Sequence, residues 1–347
     1  MSEKMNSFQR VMTTLSFKEP DRVPLFLMVT MHGAKELGMS LNEYFSSSGN
    51  VVEGQLRLIK KYRSDCLYPF FYAALEVEAW GGEVMFFEDG PPNAGTPFIQ
   101  SYNQIKNLKP PQIKNNPVLQ KSIQAIARLK KIVKDEVPIL GIVMSPFSLP
   151  VMQLGFDRYL ELIYNYPDEF EKLMVVNMEF CIDWANSQLE AGATAIGYFD
   201  PVSSPTIIDK ETYLKTGFKI ATQTIKKIKG ATAIHLASGR VLPVIKELIE
   251  TGTTTIGVSC LEDIEQIKKA CFGKLTVLGN LNGIEMRRWS ATYAEAQVKQ
   301  LIKQAAPGGG FILSDNHGEI PFQVSDEILL SISEAVHKWG NYPISNF

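Results

Sequence analysis

From residue 118 onward, the chain alternates stretches of helical pattern with short runs that are apolar at almost every position. The helical stretches cover 118–134, 156–191 (interrupted near Pro167), 209–229, 241–251, 261–272, 291–305 and about 324–338. Among them lie VPILGIVMS at 137–145, TAIGYFD at 194–200, ATAIH at 231–235, TTTIGVS at 253–259, KLTVLGN at 274–280 and GFILS at 310–314. Upstream, a helix in NSFQRVMTTLSF precedes the run VPLFLMVT from residue 23, and a helix at 50–63 precedes DCLYPFFYAA at 65–74. Strands packed on one face alternate apolar and polar residues, whereas parallel strands covered on both faces read as continuous apolar runs. About eight such strands interleaved with helices predict an α/β fold, a (β/α)8 TIM barrel forming one domain over residues 1–347. A doubly wound open sheet is the alternative, and no Gly-x-Gly-x-x-Gly follows an early strand to support it.

One helix is legible residue by residue. Val241, Leu242, Val244, Ile245, Leu248 and Ile249 fall on one stripe, with Ser238 placed to cap the start and Gly252 to end it in a left-handed turn. Residues 82–112 break the rhythm: Gly90, Pro91, Pro92, Pro97, Pro110 and Pro111 sit among short β-like pieces, EVMFFED and TPFIQS. Hydrophobic residues continue through them, so this segment reads as a short β-rich excursion from the barrel rather than a linker.

Composition excludes several classes of function. The 35 Lys and Arg against 37 Asp and Glu leave a net charge of −2 and no basic footprint for nucleic acid. No apolar stretch has membrane-spanning length, and the charged N-terminus MSEKMNSFQR lacks the apolar core of a signal peptide. Cys66, Cys181, Cys260 and Cys271 show no paired spacing, which fits free thiols and a cytoplasmic location.

In a barrel, chemistry gathers at the C-terminal ends of the strands. His32, His235 and His317 each follow a strand-like run. Tyr68, Tyr72, Glu76, Glu78, Ser145, Asp200, Ser203, Ser204, Ser238, Ser259, Cys260, Asn280, Asn282, Asp315 and Asn316 stand at the same edges. Each has a structural alternative: a strand-end histidine is often simply hydrogen-bonded, Asp200 before Pro201 equally starts a turn, and the asparagines of GNLNG are ordinary turn residues. Gly308-Gly309-Gly310 precedes a strand instead of opening a helix, which is the wrong geometry for a phosphate loop, and no Gly-x-Ser-x-Gly elbow is present.

Several pieces in order carry a resemblance: Glu19-Pro20-Asp21-Arg22-Val23-Pro24, Glu76-Val77-Glu78-Ala79-Trp80-Gly81, and Ala191-Gly192-Ala193 leading to Phe199-Asp200-Pro201. His235, Gly279-Asn280 and Gly309-Gly310-Phe311-Ile312-Leu313 before His317 continue it. Over nearly its whole length the chain resembles the uroporphyrinogen decarboxylase superfamily, which includes cobalamin-dependent methyltransferases typified by methylcobalamin:coenzyme M methyltransferase. The resemblance implies a (β/α)8 barrel. The decarboxylases carry an arginine-rich loop after the first strand, but here that stretch reads Thr30-Met31-His32-Gly33-Ala34-Lys35, leaving a many-carboxylate tetrapyrrole without its cationic partners. His317-Gly318 looks like the His-Gly of the decarboxylases, while the Glu-x-Glu-Ala-x-Gly and Phe-Asp-Pro stretches look more like the methyltransferases.

Those methyltransferases hold zinc with a His-x-Cys pair and a later Cys. Here His235 matches the histidine, Ala237 replaces the first cysteine, and His317 stands where the second would be. The resemblance therefore implies a zinc site reduced to His235 and His317, with Glu78, Asp315, Glu319 or Cys260 as candidate helpers. The expected function is a corrinoid-dependent methyltransferase moving a methyl group between a small ether, amine or thiol and a cobalamin carried by a corrinoid protein partner. In that reading His235 and His317 are metal ligands or proton donors, Asp200 acts with them, and His32, Tyr72, Glu78, Ser145 and Asn280 bind substrate. Loss of the cysteines disfavours a coenzyme M acceptor. A metal-free decarboxylase-like lyase using His317 and Asp200 is the runner-up, and a non-catalytic barrel is the third reading. A homodimer is left open.

Overall fold

A computed structural model describes residues 5–344 of the chain. Nine strands occur in chain order: β1 (Leu25–Phe26), β2 (Val84–Met85), β3 (Asn93–Ala94), β4 (Leu140–Met144), β5 (Ala195–Phe199), β6 (Ala231–His235), β7 (Thr255–Gly257), β8 (Thr276–Leu281) and β9 (Phe311–Asp315). Seven of them form one all-parallel sheet in the order β1-β9-β8-β7-β6-β5-β4. The gap between β1 and β4 is filled by the stretch around Leu67. Asp65 N–H donates to Leu25 O (2.6 Å), Leu67 N–H to Pro138 O (2.9 Å), and Leu140 N–H to Leu67 O (3.0 Å). The sheet thereby closes into the expected (β/α)8 barrel, with this stretch as its eighth stave.

Two expected strands are much shorter than their apolar runs, for identifiable reasons. At 65–74 the ladder stops before Pro69, which has no N–H to offer. At 23–30 only Leu25–Phe26 pairs, because the later backbone donors turn elsewhere: Leu27 N–H to Ser64 Oγ (3.4 Å), Val29 N–H to Leu27 O (2.9 Å), and three others to carboxylates. Asp315 Oδ1 accepts from Met28 N–H (3.1 Å), and Glu319 Oε1 accepts from Thr30 N–H (2.9 Å) and Met31 N–H (2.5 Å).

A buried charge cluster pins the opening of the barrel. The Asp65 carboxylate, fully buried, accepts from Arg10 Nη1 (2.7 Å), Arg22 Nη1 (2.7 Å) and Nη2 (3.0 Å), Ser7 Oγ (2.8 Å) and Leu25 N–H (2.8 Å). Asp21 grips Arg10 from the other side at Nε (2.6 Å) and Nη2 (2.8 Å). This gives the Glu19–Pro24 motif a structural role.

The helices follow their caps. Ser7–Leu15 starts in an Asn6–Gln9 capping box, Pro117–Val133 on Asn116, Ile264–Cys271 on Asp263 and Ala291–Ala305 on Ser290. Pro167 divides the long expected helix into Phe156–Asn165 and Pro167–Glu190. The 209–229 helix is likewise broken, into Lys210–Lys215 and Gly217–Ile225.

Ser238 does not cap the 241–251 helix. That stretch opens as a 3-10 turn, Leu242–Val244, before Ile245–Glu250. Its first donors are taken by the Glu262 carboxylate, which accepts from Val241 N–H (2.9 Å) and Leu242 N–H (2.8 Å). Gly252 does turn left-handed, at φ +87°.

In the excursion, β2 and β3 pair antiparallel, and TPFIQS forms no strand. The rest of 82–112 is coil and the 3-10 turn Tyr102–Asn107, so its β content is smaller than the sequence suggests. Among the described residues, no helix is long and apolar enough to cross a membrane.

Candidate active site at the C-terminal mouth of the barrel

Register alone places one ring of side chains inside the barrel. Met144 pairs with Phe199, Phe199 with His235, His235 with Gly257, Gly257 with Leu278, and Leu278 with Ile312. Partners in a parallel ladder point to the same face of the sheet. His235 is the one polar member of this ring. Its imidazole stacks on Phe199, with centroids 4.9 Å apart and planes 28° apart. The space for it exists because residue 257 is glycine: a Cβ there would lie 2.3 Å from His235 Cδ2.

His235 Nδ1 accepts from Ala237 N–H (3.0 Å), and Nε2 is buried without a partner. Full burial, reinforced by nearby His317, lowers its pKa to about 4, so the ring is neutral at pH 7. His317 sits on the loop after β9 with φ +75°, a conformation that the following Gly318 (φ +111°) shares. Its Nδ1 is hydrogen-bonded with Ser238 Oγ, and its Nε2 lies 3.5 Å from Cys260 Sγ. In the amide orientation that satisfies both its ends, Asn316 donates to His317 Nε2 (3.1 Å) and accepts from Cys260 N–H (3.0 Å). Burial lowers the His317 pKa as well.

Above this ring opens a cavity of about 470 Å³. Tyr68, Phe70, Tyr72, Phe199 and Phe322 wall it, with Met31 and Met144 between them and His317 and Glu319 on one side. Asp89 to Asn93 of the excursion roof it, tied across the mouth by Gln323 Nε2, which donates to Asp89 O (2.7 Å). No lysine or arginine lines it among the described residues.

Burial raises the pKa of three acidic or phenolic groups here. Glu319 is pushed up to about 8, Asp315 well above its ordinary range, and Tyr68 likewise. The Tyr68 hydroxyl and Asp315 Oδ2 have no partner.

The expected site residues fall into three groups. His317 and Tyr72 line the cavity, His235 stacks on its Phe199 wall, and Glu78 Oε2 accepts from Tyr72 OH (2.6 Å), which orients that ring. Asp200 and Ser145 are brought together beneath the wall: Asp200 Oδ1 accepts from Ser145 Oγ (2.5 Å) and Ser148 Oγ (2.8 Å). Burial raises Asp200 to about 6, and these serines occupy it, so it braces the loop behind Phe199 and does not line the cavity.

His32 and Asn280 lie elsewhere. His32 opens the helix His32–Leu37, its Nε2 is 3.3 Å from Val324 O, and its ring packs edge-on to Phe322. It is buried behind that phenylalanine, and desolvation lowers its pKa to about 4. Asn280 Nδ2 donates to Ser259 O (2.9 Å) and Glu262 O (3.2 Å), holding the loop after β7. Residue-type reasoning also undervalued Tyr68 and Glu319 as cavity residues. The first stands at a strand end, and the second follows His317-Gly318 by one position.

Whether these residues fit zinc can be asked of the donors themselves. His235 offers one orphaned nitrogen, but His317 Nε2 already faces Cys260 and Asn316. Among the described residues, no three His, Cys, Asp or Glu side chains converge as a metal-binding group. The ligand set that the resemblance implies is therefore not assembled.

An all-parallel closed barrel with its pocket at the C-terminal mouth defines the class of (β/α)8 enzyme-like folds. Residues 6–339 match the family described as uroporphyrinogen decarboxylase (URO-D), and the chain belongs to that family. It is 22% identical to a uroporphyrinogen decarboxylase of Idiomarina loihiensis, over 95% of this chain and 96% of that one. It is 24% identical to a methylcobamide:CoM methyltransferase of Methanosarcina barkeri, over 79% of this chain and 81% of the relative. Among solved structures, a methyltransferase from Methanosarcina mazei superposes with a TM-score of 0.82 at 17% identity, covering 96% of this chain and 99% of that one. The relatives are thus enzymes of two named activities.

Proposed function

We propose that this protein is a methyltransferase that moves a methyl group between a small substrate and a corrinoid carried by a partner protein. One observation carries the choice over decarboxylation: the cavity is walled by aromatic rings and thioethers, with no lysine or arginine lining it among the described residues. A porphyrinogen would bring many carboxylates into a site with nothing to pair them. Lys35 approaches from outside the lining, its Nζ 4.3 Å from the Phe322 ring centre. A cavity of about 470 Å³ suits a small molecule and not a corrin ring, so the corrinoid would meet the mouth from outside. When bound, the corrinoid supplies the cobalt that exchanges the methyl group.

The chain's own residues bind and orient. Tyr72, fixed by Glu78, and Phe199, backed by the His235 ring, set the walls. His317 lines the cavity with both ring nitrogens held, Nδ1 by Ser238 and Nε2 by Asn316 and Cys260. Glu319 holds a proton at neutral pH. Among the described residues, the donors present do not make a site for zinc.

The test supplies purified protein with free reduced cobalamin and a panel of methyl donors: choline, methylamine, methyl phenyl ether and methanethiol. Consumption of the Co(I) absorbance with one donor, lost in Phe199→Ala, is the expected result. Decarboxylation of a uroporphyrinogen with no methyl transfer from any donor overturns the proposal.

A further inference from the structure

Resting on the methyltransferase reading, we infer that the methyl donor is a methylated ammonium cation, held in the cavity by aromatic faces and carboxyl groups. The rings come from separate parts of the chain: Phe70 and Phe199 lie parallel (8° apart, centroids 6.4 Å), Tyr68 tilts against Phe70 at 5.5 Å, and Tyr72 and Phe322 complete the wall. Ring faces carry negative potential and attract ammonium groups, most strongly where water is excluded. Two carboxyls, Asp89 at the roof and Glu319 at the side, line the same space, and no lysine or arginine lines it among the described residues, Lys35 standing against Phe322 with its Nζ 4.3 Å from that ring centre. A second, independent sign of a ligand is the Tyr68 hydroxyl: the side chain is fully buried, faces the cavity, and has no hydrogen-bond partner.

Glu319 is built to answer a cation. Its Oε1 is committed to the N–H groups of Thr30 and Met31, which fixes the carboxyl in place, and its other oxygen accepts nothing among the described residues. That second oxygen is left to meet an entering positive charge.

The chemistry agrees with this donor. In demethylation the C–N bond would break with its electron pair going to nitrogen, and a reduced corrinoid on the partner would supply the electron pair that takes up the methyl group. The amine from a quaternary donor leaves neutral, so no proton need be delivered to it.

The test measures binding by calorimetry at pH 7, without corrinoid. The probes are tetramethylammonium, choline, and choline's neutral carbon isostere 3,3-dimethylbutan-1-ol. The expected result is at least tenfold tighter binding of choline than of the isostere. Phe70→Leu, which keeps apolar bulk but removes the ring face, should weaken choline at least fivefold and the isostere less than twofold. Glu319→Gln, nearly isosteric, should weaken choline and leave the isostere within twofold, which guards against misfolding of the first variant. Equal affinity for choline and isostere, or no binding of either cation, overturns the inference. Methyl transfer to reduced cobalamin from methyl phenyl ether alone would sink this inference and leave the methyltransferase reading standing. Cation-selective binding with no methyl transfer from any donor would overturn the methyltransferase reading, and the donor role with it, and leave only the cation-binding cavity standing.

Discussion

Two kinds of buried titratable residue pull the stability of this protein in opposite directions with pH. Glu76 accepts from Met144 N–H (2.8 Å), its other oxygen is buried without a partner, and burial pushes its pKa up to about 8. Glu319 reaches the same value, whereas His32 and His235 are lowered to about 4. The folded state holds the carboxyl protons that an unfolded chain has already lost, so between the unfolded glutamate pKa and pH 8 these groups make stability fall as pH rises. The histidines act oppositely: below their unfolded pKa of 6.5 the unfolded chain binds protons that the folded chain refuses, and stability falls as pH drops toward 4. The terms oppose each other below 6.5, and above it only the carboxyls remain. Stability should therefore decline from pH 6.5 to 8, and Glu76→Gln should flatten that decline by about 1.4 kcal/mol per pH unit, one proton's worth. Urea unfolding at several pH values measures it; an unchanged slope in the variant would show that Glu76 is ionised in the fold.

At the scale of elements, the helix at 245–250 shows what a linear pattern can and cannot reveal. Its apolar stripe and its terminal Gly252 are visible in the sequence, because periodicity and left-handed turns are local properties. Its cap is not: the Glu262 that accepts the Val241 and Leu242 N–H groups belongs to the next loop, and Ser238 is diverted to His317. Removing that carboxylate with Glu262→Ala should cost about 1–2 kcal/mol, in the range of lost caps, with a matching fall in denaturation midpoint. A loss no larger than that of an exposed control such as Glu190→Ala would count against the capping role.

The same contrast holds for the site. The strand ends that supply His235, His317 and Tyr72 could be read from the alternation of runs and helices. That Asp200 is taken up by Ser145 and Ser148, or that His32 turns behind Phe322, depends on side-chain packing across elements far apart in sequence. The shortened strand at 23–30 has the same cause, since the donors it would give its neighbours go to Asp315 and Glu319.

For the molecule as a whole, closure of the barrel depends on a few contacts at one seam. Asp65 joins Arg10, Arg22, Ser7 and the backbone of Leu25 at the place where the eighth stave meets β1. Leaving two buried guanidinium groups without their carboxylate is expensive. Asp65→Ala should lose about 3–5 kcal/mol, read as a lower midpoint in urea and as early exposure of the seam to hydrogen exchange. A variant as stable as the parent would mean that the cluster is not what holds the barrel shut.

The seam also joins parts of the chain made at very different times. β1 pairs with β9, and Met28 N–H waits for Asp315, 287 residues later. At a synthesis rate of roughly 5–20 residues per second, a ribosome needs on the order of 15–60 seconds to cover that interval. Throughout it, the first strand has one edge unpaired and the mouth lacks both His317 and Glu319. The emerging polypeptide thus carries an unfinished, partly apolar barrel throughout that interval, and becomes competent to bind anything in its cavity only once β9 and the loop after it have been made.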